Sequence, residues 1–190
     1  MASTINASTA GVGGVITTAD NTGILNIQSG GSTKIAVTSA GVAVTGLSKG
    51  SLPTGSVLQV VHSAYDTRIS TTSSTFSDTG ITATITPTSA TSKILVIANI
   101  PYASRGGAIN AMLGLNLCRN GTQIEIVVDY VGYIGGTSYE LGFSTGFSYY
   151  DAPASTSALV YKIQYRTYSG TTILQENNTP STITLMEIAA

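Results

Sequence analysis

From residue 56 onward the chain is written in a period of two. Ile81, Ala83 and Ile85 alternate with Thr82, Thr84 and Thr86, and Leu113, Leu115 and Leu117 alternate with Gly114, Asn116 and Cys118. Alternation of this kind puts one set of side chains on each face of a strand. Asn120-Gly121 follows directly, a two-residue hairpin signal, and Gln123 to Tyr130 reads as the return strand. Further strands are predicted over 57–64, 139–150, 158–167, 171–175 and 182–188. Ile94 to Ile100 is an apolar run broken only by Asn99, which predicts a strand covered on both faces. Pro53, Pro87, Pro101, Pro153 and Pro180 fall at segment ends, where a lost ladder donor costs least. No segment carries the 3.6-residue period of an amphipathic helix of useful length. Eight or more strands without helix favour an all-β fold, a two-sheet sandwich of jelly-roll type over residues 56–190. Strand order is not readable from the pattern.

The amino-terminal quarter is built differently. Residues 1–22 are small and polar, with Gly11, Gly13 and Gly14 and no strong period. Residues 23–46 repeat a short unit: Ile24-Leu-Asn-Ile-Gln, a Ser29-Gly-Gly-Ser turn, Lys34-Ile-Ala-Val-Thr, a Ser39-Ala-Gly turn and Val42-Ala-Val-Thr-Gly. Such a meander buries one thin face and is not stable alone. Three copies around a common axis would complete it, with Ile24, Ile27, Ile35, Val37, Val42 and Val44 lining the core between subunits. The alternative is an ordinary edge hairpin packed on the main domain. Residues 47–55, with Gly50, Pro53 and Gly55, read as a linker.

Composition narrows the function more than it names it. Charged residues make up 9% of the chain and the net charge is −1, with eight Lys and Arg scattered singly, so a cationic nucleic-acid groove is not available. The hydrophobic share of 42% is enough for a folded core. One cysteine, Cys118, excludes an intrachain disulfide and fits synthesis in a reducing cytoplasm, with a core thiol as its expected role. Met1-Ala-Ser-Thr-Ile-Asn has neither a charged nor a continuous apolar region, so no secretory leader is expected. His62 is the sole histidine, which leaves no ligand set for zinc and little room for a His-based catalytic triad. It is expected to be a partly buried, hydrogen-bonded structural residue. Glu125, Val127 and Asp129 share a face if the period of two holds, but nothing else marks the two carboxylates as a hydrolytic pair. No enzyme activity and no cofactor are expected.

Two stretches carry a resemblance. Residues 22–46 resemble the stem repeats of phage tail fibres and related virion proteins. Within the knob, Ile85-Thr-Pro-Thr-Ser-Ala-Thr-Ser-Lys-Ile-Leu-Val, Arg119-Asn-Gly-Thr, Tyr150-Asp-Ala-Pro-Ala-Ser-Thr-Ser-Ala, Tyr161-Lys-Ile-Gln-Tyr and Ser181-Thr-Ile-Thr-Leu-Met-Glu-Ile-Ala-Ala are similar to segments of small structural proteins of tailed phages. The resemblance implies a virion-surface location, a homotrimer, and docking of residues 1–22 to other virion proteins, capsid or tail. Two roles fit: a fibre or knob that meets host-surface carbohydrate, or a capsid decoration (cement) protein that clamps capsid subunits. For the first, the candidate host-binding loops run over 102–110, 130–139 and 165–170, with Tyr102, Arg105, Asn110, Tyr133, Tyr139 and Tyr168 as contact residues. The alternative is that Tyr130, Tyr133, Tyr149 and Tyr150 merely pack between sheets or subunits, and for any single tyrosine that is the preferred reading.

Overall fold

The computed structural model describes residues 24–45, 52–107, 111–131 and 140–190. The chain divides into two units, residues 1–48 and 49–190.

In the first unit, β1 (Leu25–Ser29), β2 (Ser32–Thr38) and β3 (Gly41–Val44) form a three-stranded antiparallel meander in that order. Register places Leu25 opposite Val37 and Val37 opposite Val42, with Ile27 opposite Ile35 and Ile35 opposite Val44. Directly opposed residues share a face, so these six side chains form one apolar surface. Leu25, Ile27, Val37, Val42 and Val44 are nevertheless exposed. The sheet has a hydrophobic side that no part of its own unit's described residues covers.

In the second unit ten strands follow: β4 (Val57–Tyr65), β5 (Ile69–Thr71), β6 (Ser77–Ile85), β7 (Lys93–Gly106), β8 (Leu113–Arg119), β9 (Thr122–Val131), β10 (Leu141–Asp151), β11 (Leu159–Thr167), β12 (Thr171–Leu174) and β13 (Ser181–Ile188). One sheet runs β4-β13-β7, with β10 on the other side of β7 and β12 and β5 extending the far end of β7. The second runs β6-β11-β8-β9. The eight long strands therefore pair as nested hairpins, β4 with β13, β6 with β11, β7 with β10 and β8 with β9. That pairing is the jelly-roll order, and it bears out the sandwich expected from the alternation.

The core lies between the sheets. Ile81, Ile85, Ile94, Val96, Ile100, Leu113, Leu115, Leu117, Tyr161, Ile163, Ile183 and Leu185 come from both layers and are almost completely buried. One end of the sandwich is closed by two carboxylates in a single transverse row, Glu187 and Asp151, on either side of Ile94. Asp151 on β10 accepts two bonds from Arg119 Nη1 at 2.8 and 2.7 Å and one from the Tyr161 hydroxyl at 2.5 Å, which ties its sheet to β8 and β11 of the other. Glu187 accepts from Gln59 Nε2 at 2.6 Å and from Thr88 N and Oγ1 at 2.6 and 2.7 Å. These partners satisfy charges that would otherwise be costly at the edge of a core.

Several expectations need correcting. β7 is not covered on both faces: Ile94, Val96, Ala98 and Ile100 point inward, whereas Ile97 is 39% exposed on the outer side. Pro101 lies inside this strand rather than at its end. It is tolerated because β13 pairing stops at Asn99, β12 pairing starts at Ala103, and β10 bulges between Phe143 and Thr145. Tyr102 and Arg105 are accordingly strand residues, not loop residues. Arg105 is completely buried, and Tyr102 is half-buried and packs over Gly142. Cys118 is buried but on the outward side of β8, where its thiol lies 3.3 Å from Gln164 Oε1 and 3.6 Å from Asn116 Oδ1; it is not part of the apolar core. Its burial pushes the thiol pKa up. His62 is exposed on β4 and its Nδ1 lies 2.9 Å from Thr184 Oγ1.

Candidate functional site

The outer faces of the two sheets differ in chemistry. Across β4, β13, β7 and β10, Val60, Met186, Leu95 and Tyr150 stand in one row and His62, Thr184, Ile97 and Ser148 in the next. Neither row contains Asp, Glu, Lys or Arg, and Val60 and Tyr150 are more than half exposed. The face of β6-β11-β8-β9 is polar and cross-linked. Asp78 accepts from Lys162 at 2.7 Å and Gln164 at 2.6 Å, and Asn116 donates to Gln123 at 2.8 Å. The Lys162 and Gln164 bonds hold the Asp78 carboxyl below its usual pKa.

At one end of this polar face the strands assemble a denser cluster. β11 alternates, so Lys162, Gln164 and Arg166 all point outward while Tyr161, Ile163 and Tyr165 point in. Arg166 stands opposite Gly114 of β8. Beyond Gly114 the edge strand β9 carries an extra residue, since Leu113 faces Val131 and Leu115 faces Val128. Asp129 and Tyr130 occupy that bulge, and Tyr130 adopts a left-handed φ of 54°. The missing side chain at Gly114 is what lets its neighbours meet: a Cβ there would come within 3.1 Å of Arg166 Nε and 3.3 Å of Asp129 Oδ1.

Tyr168, just past the end of β11, closes the arrangement. Its hydroxyl donates to Asp129 Oδ1 and accepts from Arg166 Nη2. Arg166 Nη2 lies 3.5 Å from Asp129 Oδ1, and the guanidinium sits over the rings of Phe76 and Tyr168 at 4.5 and 4.4 Å from their centroids. Tyr130 stacks on Tyr168 with centroids 4.2 Å apart and planes 21° from parallel. Burial and the bond to Asp129 push the Tyr168 pKa up to about 12, so the phenol stays neutral at ordinary pH. Tyr130 remains 57% exposed.

The cluster collects one sequence-predicted contact residue, Tyr168. Tyr102 and Arg105 lie elsewhere, in β7, and Asn110, Tyr133 and Tyr139 fall outside the described residues. Tyr130 and Arg166 fall within the candidate loops 130–139 and 165–170, whereas Asp129 and Phe76 lie outside them, because cross-strand partnership has no signature in a single strand. The bulges of β9 also break the period of two. Ile124, Val127 and Val128 turn toward the core, so Glu125 and Asp129 do not share a face with Val127, and Glu125 contacts the amide of Ile126 instead. Among the described residues no group of three or more His, Cys, Asp or Glu is placed to hold a metal ion.

No family model and no curated protein matches the chain. Among solved structures it is similar to VP2 of infectious bursal disease virus. The VP2 subviral particle is 13% identical with a TM-score of 0.36, over 70% of this chain and 38% of that one. A mutant VP2 of the same virus is 14% identical with a TM-score of 0.37, over 87% of this chain and 41% of that one. The chain thus spans about two fifths of the length of the VP2 chains it matches. These neighbours are viral capsid proteins. So distant a likeness carries no argument about what this chain does. No helix among the described residues is long and apolar enough to cross a membrane.

Proposed function

We propose that this chain is a non-enzymatic structural protein of a tailed phage, a homotrimeric fibre or knob displayed on the particle surface. In this reading residues 1–22 dock to other virion proteins, residues 23–46 form the trimeric stem and the knob meets host-surface carbohydrate. The carrying observation is the stem sheet, whose apolar face of Leu25, Ile27, Ile35, Val37, Val42 and Val44 has no cover among the described residues of its own unit. Burying such side chains is worth about 1.5 to 3 kcal/mol each, whereas a small isolated sheet in water is marginal at best. Sister copies supply the same face by symmetry. The likeness of residues 22–46 and of the knob strings to virion proteins supports the particle setting. The non-enzymatic reading is supported by the use of Asp151, Glu187 and Asp78 in bonds that link strands of the sandwich.

A second reading, a capsid decoration protein clamping capsid subunits, draws on the two rows of the β4-β13-β7-β10 outer face that carry no Asp, Glu, Lys or Arg, which suit a broad contact with neighbouring subunits. Light scattering of the purified chain tests the assembly: a mass of three chains is expected, and Ile35→Asp with Val42→Asp reduces it to one. A wild-type mass of one chain overturns the trimer. Incubation with empty capsids and with host cells, followed by particle imaging, separates the roles. Density at the tail or saturable cell binding favours the fibre; density between capsid subunits with raised particle stability favours cement.

A further inference from the structure

We infer that Tyr130, Tyr168, Asp129 and Arg166 form a binding site for a neutral pyranose sugar. The inference rests on the display reading above, and it names the site and the ligand class. A cluster that only fastened the edge strand would bury its aromatic ring. Here Tyr130 is held at a left-handed φ, a conformation unfavourable for a bulky residue, and still leaves 57% of its surface open. Stacking on Tyr168 fixes the ring as a platform, so little conformational freedom remains to be lost on binding.

Charge decides the class of ligand. Arg166 and Asp129 lie 3.5 Å apart and cancel, and burial together with the bond to Asp129 holds the Tyr168 phenol neutral, so the site sums to zero. An anionic sugar or a nucleotide finds no excess positive charge there. A quaternary cation is disfavoured because the Arg166 guanidinium already occupies the faces of Phe76 and Tyr168. A neutral pyranose matches what is left. Its C–H face lies on the Tyr130 ring, and its vicinal hydroxyls both donate to the Asp129 carboxylate and accept from the guanidinium.

The test is saturation-transfer NMR on the full chain with the methyl pyranosides of glucose, galactose and mannose, and with N-acetylneuraminic acid as the charged comparison. At least one neutral pyranoside is expected to receive saturation, and N-acetylneuraminic acid none. Two variants localise the signal. Tyr130→Asn keeps a residue that tolerates positive φ and removes the platform, and Asp129→Asn removes the charged acceptor; each is expected to weaken binding about tenfold. Tyr150→Ala, on the other sheet, is expected to leave it unchanged, and circular dichroism checks that each variant is folded. The site is overturned if no neutral pyranoside responds, if only the acidic sugar does, or if the signal survives both cluster substitutions. Light scattering of the same samples separates this failure from that of the assembly. A trimer without a sugar signal overturns the site alone, and a single chain with one overturns the assembly alone.

Discussion

Two residues show how local chemistry is dictated from across the sandwich. Gly80 in β6 has a φ of 83°, and a Cβ at that position would overlap the ring of Tyr65 from β4. Gly80→Ala combines an unfavourable backbone with displacement of a packed ring. It should lower unfolding stability by about 2 to 4 kcal/mol in a denaturant titration, with the slope unchanged. Glu187 couples the fold to pH. Burial raises its pKa, but the bonds from Thr88 and Gln59 outweigh burial and the carboxyl ends below the usual glutamate value of 4.5. A depressed folded pKa contributes stability that is fully present above the unfolded value and is lost as pH falls through the folded one. Stability should therefore drop below about pH 4.5, from this group among others. In Glu187→Gln that part of the acid slope should disappear, at the expense of lower stability at neutral pH. An unaltered acid slope in thermal scans of the variant would show that Glu187 does not contribute to it.

Single elements follow the sequence closely where pairing is local. β8 spans the expected Leu113 to Arg119, and Asn120 and Gly121 take positive φ of 50° and 83° as a tight hairpin requires. The same turn does something the dipeptide does not announce. Asn120 Oδ1 accepts from Val160 N at 2.8 Å and Asn120 N donates to Val160 O at 2.8 Å, so the hairpin tip is pinned to the start of β11. Asn120→Ala removes the side-chain bond and leaves a left-handed alanine. A loss of about 1 to 2 kcal/mol is expected by urea unfolding, against a few tenths for a turn that is merely solvated. Elements that depend on distant partners were less legible. β5 has three residues and pairs only with β12, roughly a hundred positions away in sequence. β7 runs six residues past Ile100 because β10 and β12 continue its ladder, a reason that lies outside the strand.

At the scale of the whole second unit, the two outer faces divide the labour. One carries hydrogen-bonded polar side chains and the tyrosine stack; the other has two rows across four strands without Asp, Glu, Lys or Arg, one of them Val60, Met186, Leu95 and Tyr150. A large apolar sheet face left open is a liability in a solitary protein, and an asset in one that is covered on assembly. Val60→Lys together with Ile97→Lys places charge on exposed positions, so the unfolding free energy of a single folded subunit should change by no more than a surface substitution does, about 0.5 kcal/mol each. If this face is a contact within the particle, the same variant should lose particle binding in a cosedimentation assay. Retained binding would assign the face to solvent.

The amino-acid order by itself determined the all-β class, most strand positions, the Asn120-Gly121 hairpin and five of the six residues of the meander's apolar face, because each depends on a period of two or on backbone preferences within a few residues. Leu25 belongs to that face and Ile24, which precedes β1, does not belong to its ladder; the difference is one residue of phase. Only the tertiary structure decided the nested jelly-roll pairing, the burial of Arg105, and the meeting of Asp129, Tyr130, Arg166 and Tyr168. Those depend on a bulge in β9 and on the empty position at Gly114, and a bulge exists only relative to the strand beside it.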